Sequence, residues 1–350
     1  MLVFFDVTMR IFLIIIFSFF SLLSYGQDYD SVRSIYVKEF PDYFNGKIIA
    51  TDRLLILNLI GREQDRQRIH YAPNDRGYVG IGAHIFDFGV ELSLKVPAAF
   101  ERSKKKYGNT DFIDLQGNIY GRKWCFDGTF QKYKGFFLSN AFDISPGFQS
   151  GDNFPQRPDL DVMNINLNGI HVFNHQKFSF RSGFTQAEKQ VKSAGSPILL
   201  LSFSRFSINA DNLLIPSNIA GDFGDLQNMV DGRFVTLSAL PGYAYNFVYR
   251  NLFLNVNATA GVGAQHQKVD LRDDTRSQYS LEPKFNFRAA LGFDNERFFA
   301  GGSFLLQRSS INMDGMRINN TAGNYKFFVG YRFKEFGILK KYSVNDLLPF

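Results

Sequence analysis

The chain has 350 residues, 39 Lys and Arg against 33 Asp and Glu for a net charge of +6, and 40 Phe and 16 Tyr beside a single Trp. The basic residues are scattered through polar positions rather than clustered, which argues against a nucleic-acid partner, and the lone Cys125 excludes an internal disulfide. A mean hydropathy of -0.15 suits a soluble protein, and equally a barrel whose lipid-facing and lumen-facing side chains alternate and cancel.

Met9-Arg10 precedes Ile11 to Leu23, an apolar run broken only by two serines, and Ser24-Tyr25-Gly26 follows. A positive start, a run too short to span a membrane comfortably and small residues after it predict a signal peptide over 1–26, with Gln27 as the first mature residue. Residues 27–50 read as a polar periplasmic lead-in. Nothing downstream offers about eighteen consecutive apolar residues, so an exported chain of this kind is secreted, periplasmic or a barrel.

The barrel is expected over 51–336. Arg53 to Ile60 is a first apolar segment. In the stretch from Phe86 to Val96, Phe88, Val90, Leu92, Leu94 and Val96 fall on one face, while Gly89, Glu91, Ser93 and Lys95 fall on the other. Similar units follow at 77–86, 111–120, 122–139, 160–173, 177–190 and Ile198 to Ile208. A long irregular segment, 209–232, is a candidate plug. Alternation then resumes at Tyr243 to Tyr249, Leu252 to Val262, Phe285 to Phe293, Phe298 to Leu306 and Tyr325 to Phe333.

Many of these are pairs around tight turns, separated by longer loops, as in all-β transmembrane antiparallel up-and-down barrels. The expected number is about twelve strands, with ten and fourteen as the alternatives, because single-chain bacterial barrels have even numbers. Short and long connections fall out of phase between 190 and 243, so one segment there is counted wrongly. Lys340-Lys341 and Pro349 make 337–350 a poor strand, and it reads as a C-terminal tail.

Three blocks carry a resemblance. They are Tyr71-Ala72-Pro73-Asn74 before the strand at Gly77 to Gly82, Asp127 to Leu138 followed by Arg157-Pro158-Asp159-Leu160, and Phe178 to Ser196. With Gly242-Tyr243-Ala244-Tyr245-Asn246, these resemble a Bacteroidetes-type family of outer-membrane β-barrels catalogued as a domain of unknown function, over roughly residues 40 to 335. Gln190 to Ser196, Q-x-K-S-A-G-S, is the most specific part. The resemblance implies a Gram-negative outer-membrane location and the barrel fold, and brings no activity with it.

The strand phase places Glu91, Lys95, Arg181 and Lys189 in the lumen, with Glu188 near a strand end; these are the candidates for tuning selectivity. An interior salt-bridge network that fills a small barrel is the alternative use of the same residues. No HExxH, CxxC or G-x-S-x-G occurs, and Gly80-Ile81-Gly82 and Gly261-Val262-Gly263 lack the third glycine of a dinucleotide fingerprint. His84 is expected in the lumen, with no serine placed near it, and His171 on the apolar face. Asp270, Asp273 and Asp274 share a loop but lack calcium-loop spacing.

The expectation is a small porin-like pore for polar or ionic solutes, without enzyme activity, cofactor or metal. A closed-lumen structural or scaffold component of an envelope assembly is the alternative, and an outer-membrane enzyme the third. The partners expected are outer-membrane lipid and envelope proteins.

Overall fold

The structure is a computed structural model that describes residues 31–62, 66–75, 77–85, 88–95, 103–313 and 315–334. The signal peptide, the C-terminal tail and the Phe86-Asp87 joint lie outside the described residues.

Helix α1 (Ser31–Tyr36) runs into β1 (Val37–Glu39), and β2 (Tyr43–Gly61), β3 (Arg68–Ala72), β4 (Tyr78–Ile85) and β5 (Phe88–Lys95) follow. After α2 (Lys104–Tyr107) come β6 (Asp111–Tyr120), β7 (Trp124–Leu138), α3 (Ala141–Ile144) and β8 (Gln156–Val172). The helical turn α4 (Arg181–Phe184) and β9 (Glu188–Gln190) precede β10 (Ala194–Asn209). A 3-10 segment, Ser217–Asn228, leads to β11 (Met229–Tyr249), β12 (Leu252–Leu271), β13 (Thr275–Asp294), β14 (Phe298–Met313) and β15 (Met316–Lys334).

Thirteen strands form one antiparallel sheet, and all of them except β3 follow one another around a closed ring of twelve. The ring shuts where β15 pairs with β2 along its whole length, from Met316 opposite Gly61 to Lys334 opposite Tyr43. Every strand of the ring has a neighbour on each side, the arrangement that lets strands sit in hydrocarbon. Period-two alternation does the rest. On β8 the outward Met163, Ile165 and Leu167 alternate with the inward, buried Asn164, Asn166 and Asn168, and on β15 Tyr325, Phe327, Val329, Tyr331 and Phe333 all face out. That row spans the roughly 9–11 residues a tilted strand needs to cross a bilayer, so the barrel is a transmembrane one. His171 also faces outward, its ring 4.6 Å from Trp124 and 4.7 Å from Phe173.

Short β3 marks a fork in the wall. It pairs with the end of β2 on one side and with Phe137 and Leu138 of β7 on the other, while β4, β5 and β6 fill the wall below. β7 switches neighbours at a bulge between Lys134 and Phe136. Gly135 sits in that bulge at φ 93°, where a side-chain β-carbon would lie 2.1 Å from the Asn109 carbonyl oxygen, so only glycine fits.

Two expectations are corrected. Residues 177–190 form no wall strand: α4 and the left-handed Gln186, at φ 54°, turn the chain inward. The miscounted segment is therefore this one, which lies before the 190–243 stretch in which the miscount is expected, and without it the expected segments number the twelve found. The barrel also begins at Tyr43 rather than at 51, so the lead-in is shorter. Its first turn of wall was hidden because Asn45 and Lys47 occupy inward positions and are buried in a polar lumen.

Candidate functional site

Among the described residues polar side chains are concentrated in the lumen, which is filled from both ends. The end holding Tyr43 and the tight turns 249–252 and 294–298 is called the turn end, and the opposite one the loop end. At the turn end the connection between β8 and β10, residues 173–193, folds into the mouth as a plug. Phe178, Phe180, Ser179, Ser182, Thr185, Gln186 and Glu188 are all buried. Asn45 donates to the Thr185 carbonyl oxygen at 3.0 Å, and Asn246 to the Ser179 carbonyl oxygen at 2.9 Å. The wall's inward amides thus hold the plug by its backbone, satisfying groups that the absent ladder would otherwise pair.

Glu188 is the electrostatic centre of the plug. Its carboxylate meets Arg33 Nη2 at 2.6 Å and Arg181 Nη1 at 3.3 Å. Arg33 also pairs with Glu39 at 2.8 Å and donates to the His175 carbonyl oxygen. Through Arg33, and through the ladder Val37–Glu39 against Glu188–Gln190, the segment that precedes the barrel is tied to the plug. Lys189 donates to Asn251 Oδ1 in a tight turn of the wall at 2.9 Å. Arg332, on β15, clamps the other side: it makes a bidentate pair with Asp294 at 2.8 and 2.7 Å, and donates to the Gln186 carbonyl oxygen from Nε at 2.9 Å and Nη2 at 2.7 Å.

Burial works against the Glu188 charge, but Arg181 and Arg33 outweigh it and hold the carboxyl below its ordinary value of 4.5. A depressed carboxylate contributes stability above its unfolded value and loses it as pH falls through the folded one. The plug is therefore expected to stay docked at neutral pH and to loosen progressively below about 4.5. Hydrogen exchange of 174–193 by mass spectrometry, corrected for intrinsic rates, should show protection at pH 7 and its loss at pH 3. Equal protection at both would remove Glu188 from the docking account.

Higher in the lumen, wall charges are paired across the bore. Glu91 lies between Lys47, at 2.7 Å, and Lys326. Arg53 meets Asp114 at 3.1 Å, and Arg288 meets Asp127 at 2.7 Å. An amide ladder links β7 and β8: Asn168 donates to Asp127 at 2.7 Å and Asn164 to Gln131 at 3.2 Å. At the loop end the bore turns apolar. Leu57, Tyr71, Tyr133 and Leu160 of the wall pack on Leu214 of the 209–229 connection and on Phe223 of its 3-10 segment.

Of the residues singled out from sequence, Arg181 and Glu188 meet, and Lys189 sits in the same plug; the correction is that all three belong to an inserted segment and not to a wall strand. Glu91 is a lumen residue as expected, in a separate cluster. The Lys95 side chain lies outside the described residues. His84 is buried on the inward face. Asp270 is paired with Arg233 and accepts from Thr275 Oγ1 at 2.8 Å. Arg33, Lys47, Arg288 and Arg332 escaped notice, although Arg332 carries a readable signal: it is the charged residue between the outward Tyr331 and Phe333.

These features define a twelve-stranded transmembrane β-barrel with an occupied lumen. The chain belongs to the family described as Domain of unknown function (DUF4421), whose model matches residues 28–333. No curated protein matches it. Among solved structures it is similar to the outer membrane protease OmpT from Escherichia coli, at 9% identity over 84% of this chain and 97% of that one, with a TM-score of 0.39. It is also similar to the Pseudomonas putida toluene transporter TodX (9% identity, 85% and 91% covered, TM-score 0.24) and to the Yersinia pestis attachment invasion locus protein Ail (10%, 83% and 99%, 0.20). Proteins this distant share at most an architecture, and their activities do not transfer.

Proposed function

We propose that the protein is a closed-lumen structural component of the Gram-negative outer membrane, inserted after export, with the turn end facing the periplasm and no catalytic activity. What supports this reading is that three successive layers of the bore are occupied: the plug held by Arg33, Glu188 and Arg332, the paired charges and amide ladder, and the apolar cap. A barrel of about twelve strands is narrow enough for long side chains and inserted segments to close it. The plug and the segment tied to it by β1 and β9 lie at the turn end, where an envelope protein partner would meet them.

A pore for polar or ionic solutes is the second reading, and the Asn164, Asn166 and Asn168 row favours it, since such a surface suits water better than packing. It requires both the plug and the cap to move. Single-channel recording of refolded protein in a planar bilayer separates the two. The expected result is silence from protein whose insertion is shown by heat-modifiable gel migration. Stable, ion-selective steps from the unmodified chain would overturn the closed reading.

A further inference from the structure

Lys47, Arg53, Arg288 and Arg332 each pair with a carboxylate inside the barrel. Lys284, on the inward face of β13, does not: its ammonium donates to Ser204 Oγ at 2.9 Å, and no carboxylate pairs with it among the described residues. Glu282, two residues along the same face, is engaged elsewhere, by the Asn312 backbone N–H at 3.1 Å and by the Asn312 side chain. A cation held away from bulk water without a counter-charge is unfavourable, so its surroundings call for an anion.

Those surroundings are a cavity of about 40 Å³ lined by Lys284, Asn164, Asn166, Ser204, Gln265 and Asn286 among others, with no acidic residue in its wall. At roughly 10–15 Å³ for each water on this measure, it has room for about three non-hydrogen atoms. A carboxylate group has three. Amide and hydroxyl donors converge there with the Lys284 ammonium, the set that binds a small anion.

Beside the cavity the outward-facing Phe285 and Arg308 still pair across the β13–β14 ladder, and the regular pairing of the wall ends next to them. The β13–β14 ladder stops at Lys284 opposite Ser309, although β13 begins at Thr275 and β14 continues to Met313. The next residue of β13, Pro283, has no N–H to give. Beyond it the strands are joined by side chains: the two Glu282 contacts, and Gln278 Nε2 to the Asn312 carbonyl oxygen at 3.3 Å. On the outer face Arg308 follows the apolar Phe304 and Leu306, at the edge of the lipid-facing row.

We propose that the cavity beside Lys284 binds a small carboxylate, admitted sideways through the break between β13 and β14 past Arg308. The carboxylate is either free in solution or the head of an amphiphile whose chain stays in the membrane along Phe285 and Leu281.

The test is thermal unfolding of the full folded chain in detergent at constant ionic strength, in chloride, in acetate and in chloride with decanoate. Acetate is expected to raise Tm by about 5 °C at saturation in the unmodified protein and not in Lys284→Gln. A rise with decanoate alone, absent from Lys284→Gln, assigns the site to amphiphile heads; a rise with both assigns it to carboxylates in general. No rise with either, or a rise that persists in Lys284→Gln, overturns the proposal. If Lys284→Gln fails to fold, titration of the unmodified protein with carboxyl-labelled 13C acetate decides. Saturable broadening of the acetate signal supports the site, and its absence overturns it.

Discussion

Gly183→Val is expected to expose the plug to trypsin while the barrel stays folded. Gly183 lies in the helical turn α4, where an added β-carbon would stand 2.8 Å from Asn255 Cβ and 2.9 Å from Asn255 Cγ. Contacts that close require something to move. Asn255 is fully buried on β12 and donates to Asn246 Oδ1 at 2.6 Å, and Asn246 is itself bonded to the plug. The wall is held on both sides of Asn255 by ladders unbroken there, whereas the plug turn has no ladder to the wall, so the turn is what yields. Overpacking of this kind costs about 1–3 kcal/mol. With a tenfold change for each 1.4 kcal/mol, the undocked population rises roughly 5- to 150-fold, and cleavage that follows the open population rises with it. Digestion should appear after Arg181 and Lys189, partly buried and buried respectively in the docked plug, with the heat-modifiable migration of the barrel unchanged. Cleavage at the unmodified rate would mean that the plug is not seated against Asn255 as described.

Arg332→Ala is expected to lower the stability of the folded barrel by about 3–5 kcal/mol, the usual cost of removing one partner of a buried ion pair. Arg332 is 1% exposed. Its guanidinium joins the β13–β14 turn through Asp294, the plug through Gln186 and the preceding segment through Phe40, whose ring centroid is 4.2 Å away. Substitution leaves the Asp294 carboxylate buried without its cation, and that uncompensated charge accounts for most of the loss. Urea titration of the folded protein in detergent measures it. Adding Asp294→Asn to Arg332→Ala should recover a large part, because the double variant buries no orphan charge. Losses that simply add would show that the two side chains act independently.

Those two residues illustrate what a sequence can and cannot disclose about this barrel. The wall was legible because lipid imposes one strict rule: every second residue must be apolar, as in Tyr325 to Phe333. The plug was misread because it obeys a similar rule for a different reason. Phe178, Phe180 and Phe184 pack inside the barrel and the polar residues between them bond to inward amides, so two buried environments imitate the two faces of a strand. A polar interior therefore looks like solvent in one dimension. The pairing of Glu188 with Arg33, 155 positions away in sequence, has no local trace. The loop-end cap was half legible: 209–232 was recognisable as irregular and a candidate plug, but Phe223 and Leu226 gave no sign of which end they would fill.

The three-residue ladder between β1 and β9 has a kinetic consequence. β1 ends at Glu39 and β2 starts at Tyr43, so only a few residues separate the strand that caps the plug from the strand that completes the ring. Pairing β2 with β15 joins segments more than 250 residues apart, and contacts of such long range form slowly, after the local hairpins. When that last pair zips, β1 is delivered to its place over the plug by the same movement. Ring closure and the docking of β1 on the plug are then one late folding event, and a chain that has shut its wall already holds its plug strapped in place.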